Sequence, residues 1–247
     1  MPYSIAEGIE ILNLCLYLPT ENTLALADLH LGFEEMMNKQ GTLMPRLNFA
    51  EIKKRLERVF IVLEQRGAGK LEKIIINGDL KHEFGTISEQ EWMEVLDIIE
   101  LLQRKCGKII LVQGNHDNIL GPIAHSREVE IEKFHYLAGS KIIFTHGHQF
   151  IGAKEFNEAR TVIIGHEHPA VKITEGAKGE TYKCFLKGVF EGKELIVMPS
   201  MNQVHIGTNM AKGKVLSPFL QGNLAQFDVW VCEEGETYHF GKLGKLE

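Results

Sequence analysis

The chain has 247 residues, 44% of them hydrophobic, and its 27 Lys and Arg against 33 Asp and Glu leave a formal charge of −6. Such a length and apolar content suit a single domain over residues 1–247, and the acidic balance excludes a broad basic coat for nucleic acid. Cys15, Cys106, Cys184 and Cys232 form no CxxC pair, the N-terminus lacks a basic-then-apolar leader, and no apolar run approaches about 18 residues, so the reading is a cytoplasmic protein with neither disulfide framework nor membrane span.

In chain order, Thr23–Ala27 reads as a strand leading into Asp28. Gly32 to Arg46 is ambiguous, with Gly41 and Pro45 marking part of it as loop. Asn48–Arg66 has helical spacing, with Ile52, Leu56, Val59, Phe60 and Leu63 on one face, and stops at Gly67. Lys73–Ile76 is a short buried strand that delivers Asn77-Gly78-Asp79. A helix follows over Ser88 to Arg104, with Ser88 as cap, Glu91 at capping-box spacing, and Cys106-Gly107 as its end. Lys108–Val112 is the next strand and delivers Gly114-Asn115-His116-Asp117.

Strands alternating with helices predict a parallel sheet, and ligands in such sheets collect beyond the carboxyl ends of strands. After Gly121-Pro122 the pattern changes. Val129–Ile131, Lys141–Thr145, Thr161–Ile164, Ala170–Thr174, Thr181–Leu186, Glu194–Met198 and Gln226–Cys232 read as short strands, with Thr237–Phe240 as one more at an edge. The expected class is α/β, with a second mixed sheet packed on the first.

Five short motifs stand at the ends of apolar runs: Asp28-Leu29-His30, Gly78-Asp79, Gly114-Asn115-His116-Asp117, Thr145-His146-Gly147-His148 and Gly165-His166-Glu167-His168. Any one of them alone is a turn as readily as a site. Together they offer Asp28, His30, Asp79, Asn115, His146, His166 and His168, an oxygen and imidazole set without thiolate that suits hard or borderline divalent ions. Two adjacent ions activate water and stabilise charge on a phosphoryl group, which predicts phosphoester hydrolysis. Asp79 is the natural bridge, because a carboxylate has two oxygens. In an extended His166-Glu167-His168 both imidazoles share one face, so each reaches a different ion. His116, next to Asn115, is the candidate to protonate the leaving oxygen, with Asp117 to orient it. His82 is either a neighbour supporting the site or a surface turn. His148 either lines the pocket or only flanks His146. Arg46 is either a phosphate contact or ordinary surface. Asn202 is a candidate to approach from the second sheet. His125, His135, His205 and His239 have no motif context and read as structural, and Trp92 and Trp230 as packing residues.

In order and spacing these residues resemble the calcineurin-like metallophosphoesterase superfamily, whose pattern DxH…GD…GNH[D/E]…H…GHxH is met in full. The resemblance implies an αββα four-layer sandwich of two mixed sheets flanked by helices. It implies one ion on Asp28, His30, Asp79 and His168, the other on Asp79, Asn115, His146 and His166, and a non-ligand catalytic role for His116. The ions implied are two divalent metals, foremost manganese, with iron, zinc, cobalt or nickel also suited. Ala27–Gly32, Asn77–Phe84 with its Asp-Leu-Lys-His-Glu-Phe run, and Leu216-Ser217-Pro218-Phe219-Leu220 are similar to ICC-like, SbcD-related phosphoesterases. That subgroup implies a phosphodiesterase or nuclease directed at DNA or RNA, with a helicase or ligase as partner. A small-molecule phosphoesterase acting on nucleotides, cyclic nucleotides or phosphomonoesters is the rival expectation, and a metal-binding scaffold the third. Helix faces and edge strands are compatible with a homodimer.

Overall fold

The computed structural model describes residues 3–85, 87–118, 120, 127–175, 178–233 and 235–246; His125 lies outside them. Among the described residues the first sheet has seven strands in the order β1 to β7. These are β1 (Tyr3–Ala6), β2 (Ile9–Leu12), β3 (Cys15–Leu18), β4 (Thr23–Leu26), β5 (Leu71–Ile76), β6 (Cys106–Val112) and β7 (Glu130–Glu132). The anticipated strands pair in parallel, β4 with β5 and β5 with β6. The antiparallel meander β1–β2–β3–β4 was not anticipated. Each of β1 to β3 is only four residues long. Two-residue turns separate them, eased by left-handed backbone at Gly8 (φ 72°) and Asn13 (φ 58°).

Two long helices cover this sheet. Helix α2 (Asn48–Gln65) buries Ile52, Leu56, Val59, Phe60 and Leu63, the face expected from its spacing. It stops where Gly67 turns left-handed (φ 74°) and the Ala68 amide closes on the Leu63 carbonyl at 3.0 Å. A short helix, α1 (Phe33–Lys39), precedes it in the ambiguous stretch. In α3 (Glu89–Gln103), Ser88 Oγ accepts from the Glu91 amide at 3.1 Å. The reciprocal half of the capping box is absent. Glu91 Oε1 instead accepts from the amides of His82 (2.8 Å) and Glu83 (3.0 Å), so the helix start grips a loop of the site. Cys106-Gly107, read as a helix stop, already begins β6, the helix having ended at Gln103.

The second sheet is mixed, as expected. Its strands are β8 (His135–Leu137), β9 (Ile142–Phe144), β10 (Thr161–Ile164), β11 (Pro169–Glu175), β12 (Lys178–Phe190), β13 (Lys193–Val197), β14 (Thr208–Asn209), β15 (Asp228–Glu233) and β16 (Glu236–Lys242). Alternation along its strands divides two cores. Phe144, Ile163 and Ile196 face inward and join the cluster shared with the first sheet and the long helices. Ile143, Val162, Ile164, Leu195 and Val197 face outward against Phe156, Phe219 and Phe227. The outer cover here is slight among the described residues: the five-residue helix α4 (Lys154–Glu158) and short 3-10 turns. The protein is therefore a two-sheet α/β sandwich whose fourth layer is thin. No helix among the described residues is long and apolar enough to cross a membrane.

Ser88 Oγ also donates to Glu35 of α1, which ties two helices together. Ser88→Ala is expected to lower stability by about 1–2 kcal/mol, read as a fall in denaturant midpoint at unchanged slope.

Candidate metal centre

All five motifs meet at one end of the sandwich, and the β4–β5 pairing continues past the strands to place the first two. The Asp28 amide donates to the Gly78 carbonyl (3.0 Å), His30 to Asp79 (3.0 Å), and Leu31 to Leu80 (3.0 Å). This continuation is not extended backbone. Asp28 (φ 54°), His30 (46°), Asp79 (48°), His166 (66°) and His168 (50°) are all left-handed. Each such non-glycine residue costs about 1–2 kcal/mol, and strain of this kind persists where surrounding contacts over-determine the backbone. His166-Glu167-His168 is therefore not the extended segment expected from its spacing. Both histidines turn inward through left-handed backbone, while Glu167 points away and accepts from the Leu216 (2.9 Å) and Ser217 (2.8 Å) amides.

The two aspartates use their oxygens unequally. Asp28 Oδ2 accepts from the His166 amide at 3.0 Å, while Oδ1 is buried with no hydrogen-bond partner. Asp79 Oδ1 accepts from the His116 amide at 3.0 Å. Asp79 Oδ2 faces His146 Nε2 (3.3 Å), His30 Nε2 (3.7 Å) and His116 Nε2 (3.9 Å). Thus a single oxygen of Asp79, rather than its two oxygens, looks toward both halves of the centre. Ligand atoms of Asp28, His30 and His168 lie within 4.8 Å of one another, as do those of Asp79, His146 and His166. Asn115 Oδ1 lies 3.1 Å from His146 Nε2.

This donor set fits cations. His30 Nε2 and His168 Nε2 are 3.1 Å apart, close to the roughly 3.3 Å between two imidazole nitrogens bound to one ion at 2.0–2.1 Å with tetrahedral angles. The buried, unpartnered Asp28 Oδ1 is the kind of atom a cation satisfies. His146 Nδ1 faces the Asn77 carbonyl at 3.2 Å, which can only accept, so Nδ1 carries the proton and Nε2 is the ligand atom.

Burial alone would raise the Asp79 carboxyl, but the imidazoles of His146, His30 and His116 outweigh it and hold it well below the usual carboxylate range. Burial alone would lower His146, yet Asp79 and Asp28 push it up to about 9. Burial, then the neighbouring His168, keeps His30 well below its ordinary value, and burial with His146 lowers His166 to about 4. Neutral imidazole is the form that ligates metal, so a cation held at His146 Nε2, 3.3 Å from Asp79 Oδ2, would take the place of a proton there.

His116 sits at the edge of this cluster. Its Nδ1 donates to the His82 carbonyl, leaving Nε2 toward the cavity. The ring lies between Phe84 (centroids 3.8 Å apart) and His82 (5.2 Å). Asp117 does not orient that ring as expected. Its Oδ2 accepts from the Gly114 amide (2.9 Å) and its Oδ1 from Leu80 (3.0 Å), so this buried carboxylate staples the second and third motifs together. Burial and the charge of Asp79 push it up to about 6.

His82 Nδ1 lies 3.2 Å from His30 Nδ1 and so fixes the His30 ring. His148 stands 5.3 Å from His146, centroid to centroid, at the centre's far flank. Arg46 is exposed in the loop before α2 and is not among the residues lining the site cavity. Asn202 does approach from the second sheet: its amide donates to the Asp28 carbonyl at 3.2 Å. His205, read as structural, in fact lines the cavity, 6.0 Å from the His168 ring. Its amide is held by Asn202 Oδ1 at 3.0 Å, and that neighbour was the available signal. Phe33, Thr208 and Leu216 line the same cavity of about 430 Å³ and were also missed.

A family model described as calcineurin-like phosphoesterase matches residues 22–182. Among solved structures, the nuclease MPE of Pseudomonas putida is 18% identical over 97% of this chain and 99% of its own, with a TM-score of 0.63. A Vps29 single mutant from Entamoeba histolytica is 14% identical over 89% and 99% of the two chains, at a TM-score of 0.38. A conserved uncharacterized protein from Streptococcus pneumoniae is 16% identical over 89% and 97%, at 0.33. The first carries a likeness of fold; the other two are too distant to add to it. No curated protein matches the chain.

Space requires glycine at several positions of this centre, most tightly at Gly114 and Gly78, in the third and second motifs. A Cβ on Gly114 would stand 2.1 Å from Asp79 Oδ1, and one on Gly78 (φ 90°) 2.0 Å from His146 Nδ1. Gly114→Ala is expected to cost about 1–3 kcal/mol through overpacking and to lower bound metal per chain, read by thermal unfolding and elemental analysis. Asp117→Ala strands the amides of Gly114 and Leu80, and the more distant one of Lys81, and is expected to cost about 1–3 kcal/mol for each of the first two. A variant of full stability and metal content with a lowered turnover number alone would restore the orienting role.

Proposed function

This chain belongs to the calcineurin-like phosphoesterase family, and on that premise we propose that it is a metal-dependent phosphodiesterase directed at nucleic acid. The observation that carries the reading is the meeting of two ligand groups at Asp79 Oδ2, with His116 Nε2 beside them. Two divalent ions, when bound, supply Lewis acidity at the phosphoryl group and a lowered pKa for water. Asp28, His30 and His168 would hold one and Asn115, His146 and His166 the other, with Asp79 common to both. Manganese is our assignment, and the same donors suit iron, zinc, cobalt or nickel.

The chain's own residues do the rest. The His82 carbonyl anchors His116 through Nδ1–H, so a second proton on that ring sits at Nε2, where it is given to the leaving oxygen. Glu91, gripping the His82 and Glu83 amides, and the buried Lys81 ammonium, donating to the Glu83 carbonyl, keep that anchor in place. Phe84 and Phe33 put apolar rings beside His116 and His82, which suits a planar nucleoside as the departing group. The name of the Pseudomonas putida nuclease and the Asp-Leu-Lys-His-Glu-Phe run support a nucleic-acid substrate. The acidic balance of the chain supports a second reading, a small nucleotide diester.

The test is incubation with Mn²⁺ and end-labelled single- and double-stranded DNA, with a chromogenic phosphodiester as activity control. His116→Ala is expected to lose turnover by at least about 100-fold at unchanged metal content. Asp79→Asn is expected to lose turnover and to weaken binding at both halves of the centre. Cleavage of the chromogenic diester without any of DNA would favour the small substrate. DNA cleavage undiminished in His116→Ala would sink the assignment of that residue.

A further inference from the structure

Asn115 is a wall shared by two cavities. On one side lies the site cavity, and on the other a second of about 350 Å³ that also takes in Gln113, Asn118, Lys133, His148 and Gln149. Both volumes fall in the range of clefts that take small groups, roughly 300–1,000 Å³. We propose that the second cavity is a phosphate-binding arm, which receives the phosphate next to the scissile one on a polynucleotide. This rests on the phosphodiesterase reading above and extends it.

The chemistry of the lining points that way. It has one ammonium, two free-standing glutamine amides and no carboxylate, a set of donors for phosphate and sugar oxygens. Lys133 makes no ion pair among the described residues, and the acid beside it, Glu132, is engaged by His135 Nδ1 at 2.8 Å. His148 Nδ1 is buried without a hydrogen-bond partner. Asn118 Nδ2 donates to the Asn115 carbonyl at 3.1 Å and so braces the wall between the cavities.

Position agrees with chemistry. The second cavity adjoins the His146 and His166 half of the centre, with His148 5.3 Å and 6.1 Å from those rings. His116 stands against the other half, 4.9 Å from His30. A diester whose leaving group lies by His116 and Phe84 therefore extends its retained part past Asn115 toward Lys133. A simple diester leaves that arm unused, whereas a nucleotide strand fills it.

The experiment compares the Mn²⁺-loaded full chain on TpT, which has one phosphate, and TpTpT, where cleavage of one of the two bonds leaves a second phosphate on the retained side. Bis(p-nitrophenyl) phosphate is the activity control and a long thymidylate homopolymer the third arm. In the wild type the kcat/KM ratio of TpTpT to TpT is expected to be roughly tenfold, the size of one charge-assisted hydrogen bond. Lys133→Ala should pull that ratio toward one, mainly through KM, and Lys133→Glu further still. A wild-type ratio near one, or a ratio that both variants leave untouched, overturns the arm. A homopolymer hydrolysed no better than TpTpT overturns the polynucleotide as its occupant. If the wild type fails on the chromogenic diester, it is the phosphodiesterase reading that falls instead. Lys133 is exposed, so neither variant threatens folding.

Discussion

The carboxylate of Asp79 divides its oxygens between two tasks, and the rest of the site is arranged around that division. Oδ1 is spent on the His116 amide, which fixes the third motif to the second. Oδ2 is left to three imidazoles drawn from the first, third and fourth motifs. Burial alone would raise this carboxyl, and the imidazoles of His146, His30 and His116 around it reverse that preference. The same partition recurs at Asp28, where one oxygen takes the His166 amide and the other stays unpartnered. In both cases a backbone amide orients the carboxylate, so the free oxygen is aimed by the main chain rather than by a mobile side chain.

That arrangement explains why the strained backbone is tolerated. Five left-handed non-glycine residues at about 1–2 kcal/mol each would consume most of the stability of an ordinary domain. They are held because each is tied from elsewhere. The amides of Asp28 and His30 are bound by the second motif, and the Asp28 carbonyl accepts from Ser200 Oγ at 2.6 Å and from the Asn202 amide. Glu167, between the two histidines of the last motif, is clamped by the Leu216 and Ser217 amides, and Ser217 Oγ reaches the Gly147 carbonyl at 2.7 Å. Strain at the centre is thus supported by contacts that span both sheets, and the rigidity needed for aligned ligand atoms follows from the same contacts.

How much of this was legible depended on the kind of constraint. Strands that deliver a motif announce themselves, because an apolar run must end where chemistry begins; β4, β5 and β6 were read to within two residues at either end. The first three strands were not, since four residues carry too little alternation to separate a strand from a turn. β12 runs 13 residues where six were expected, because its two halves pair with different partners and only pairing reveals its length. The residues that meet at the candidate centre were legible because oxygen and imidazole donors are few and distinctive. Asp117 was misread because adjacency in sequence suggests contact, whereas its carboxylate turns back to amides of its own turn and of the second motif. His205 was invisible because it reaches the cavity on an irregular loop, where no periodicity relates it to anything.

The stretch Asp79 to Phe84 shows why an unremarkable run of residue types can be so demanding of its sequence. Asp79 faces the centre, Lys81 is buried to secure the Glu83 carbonyl, and His82 holds His30 by its ring and His116 by its carbonyl. Phe84 then closes over His116 from the outside. Six consecutive residues therefore place one candidate ligand, orient a second, and fix the tautomer of His116 and its exposure to water. The net acidic charge of the chain is no bar to the proposed polyanionic substrate, because bound cations would invert the local field and Lys133, beside the second cavity, makes no ion pair among the described residues.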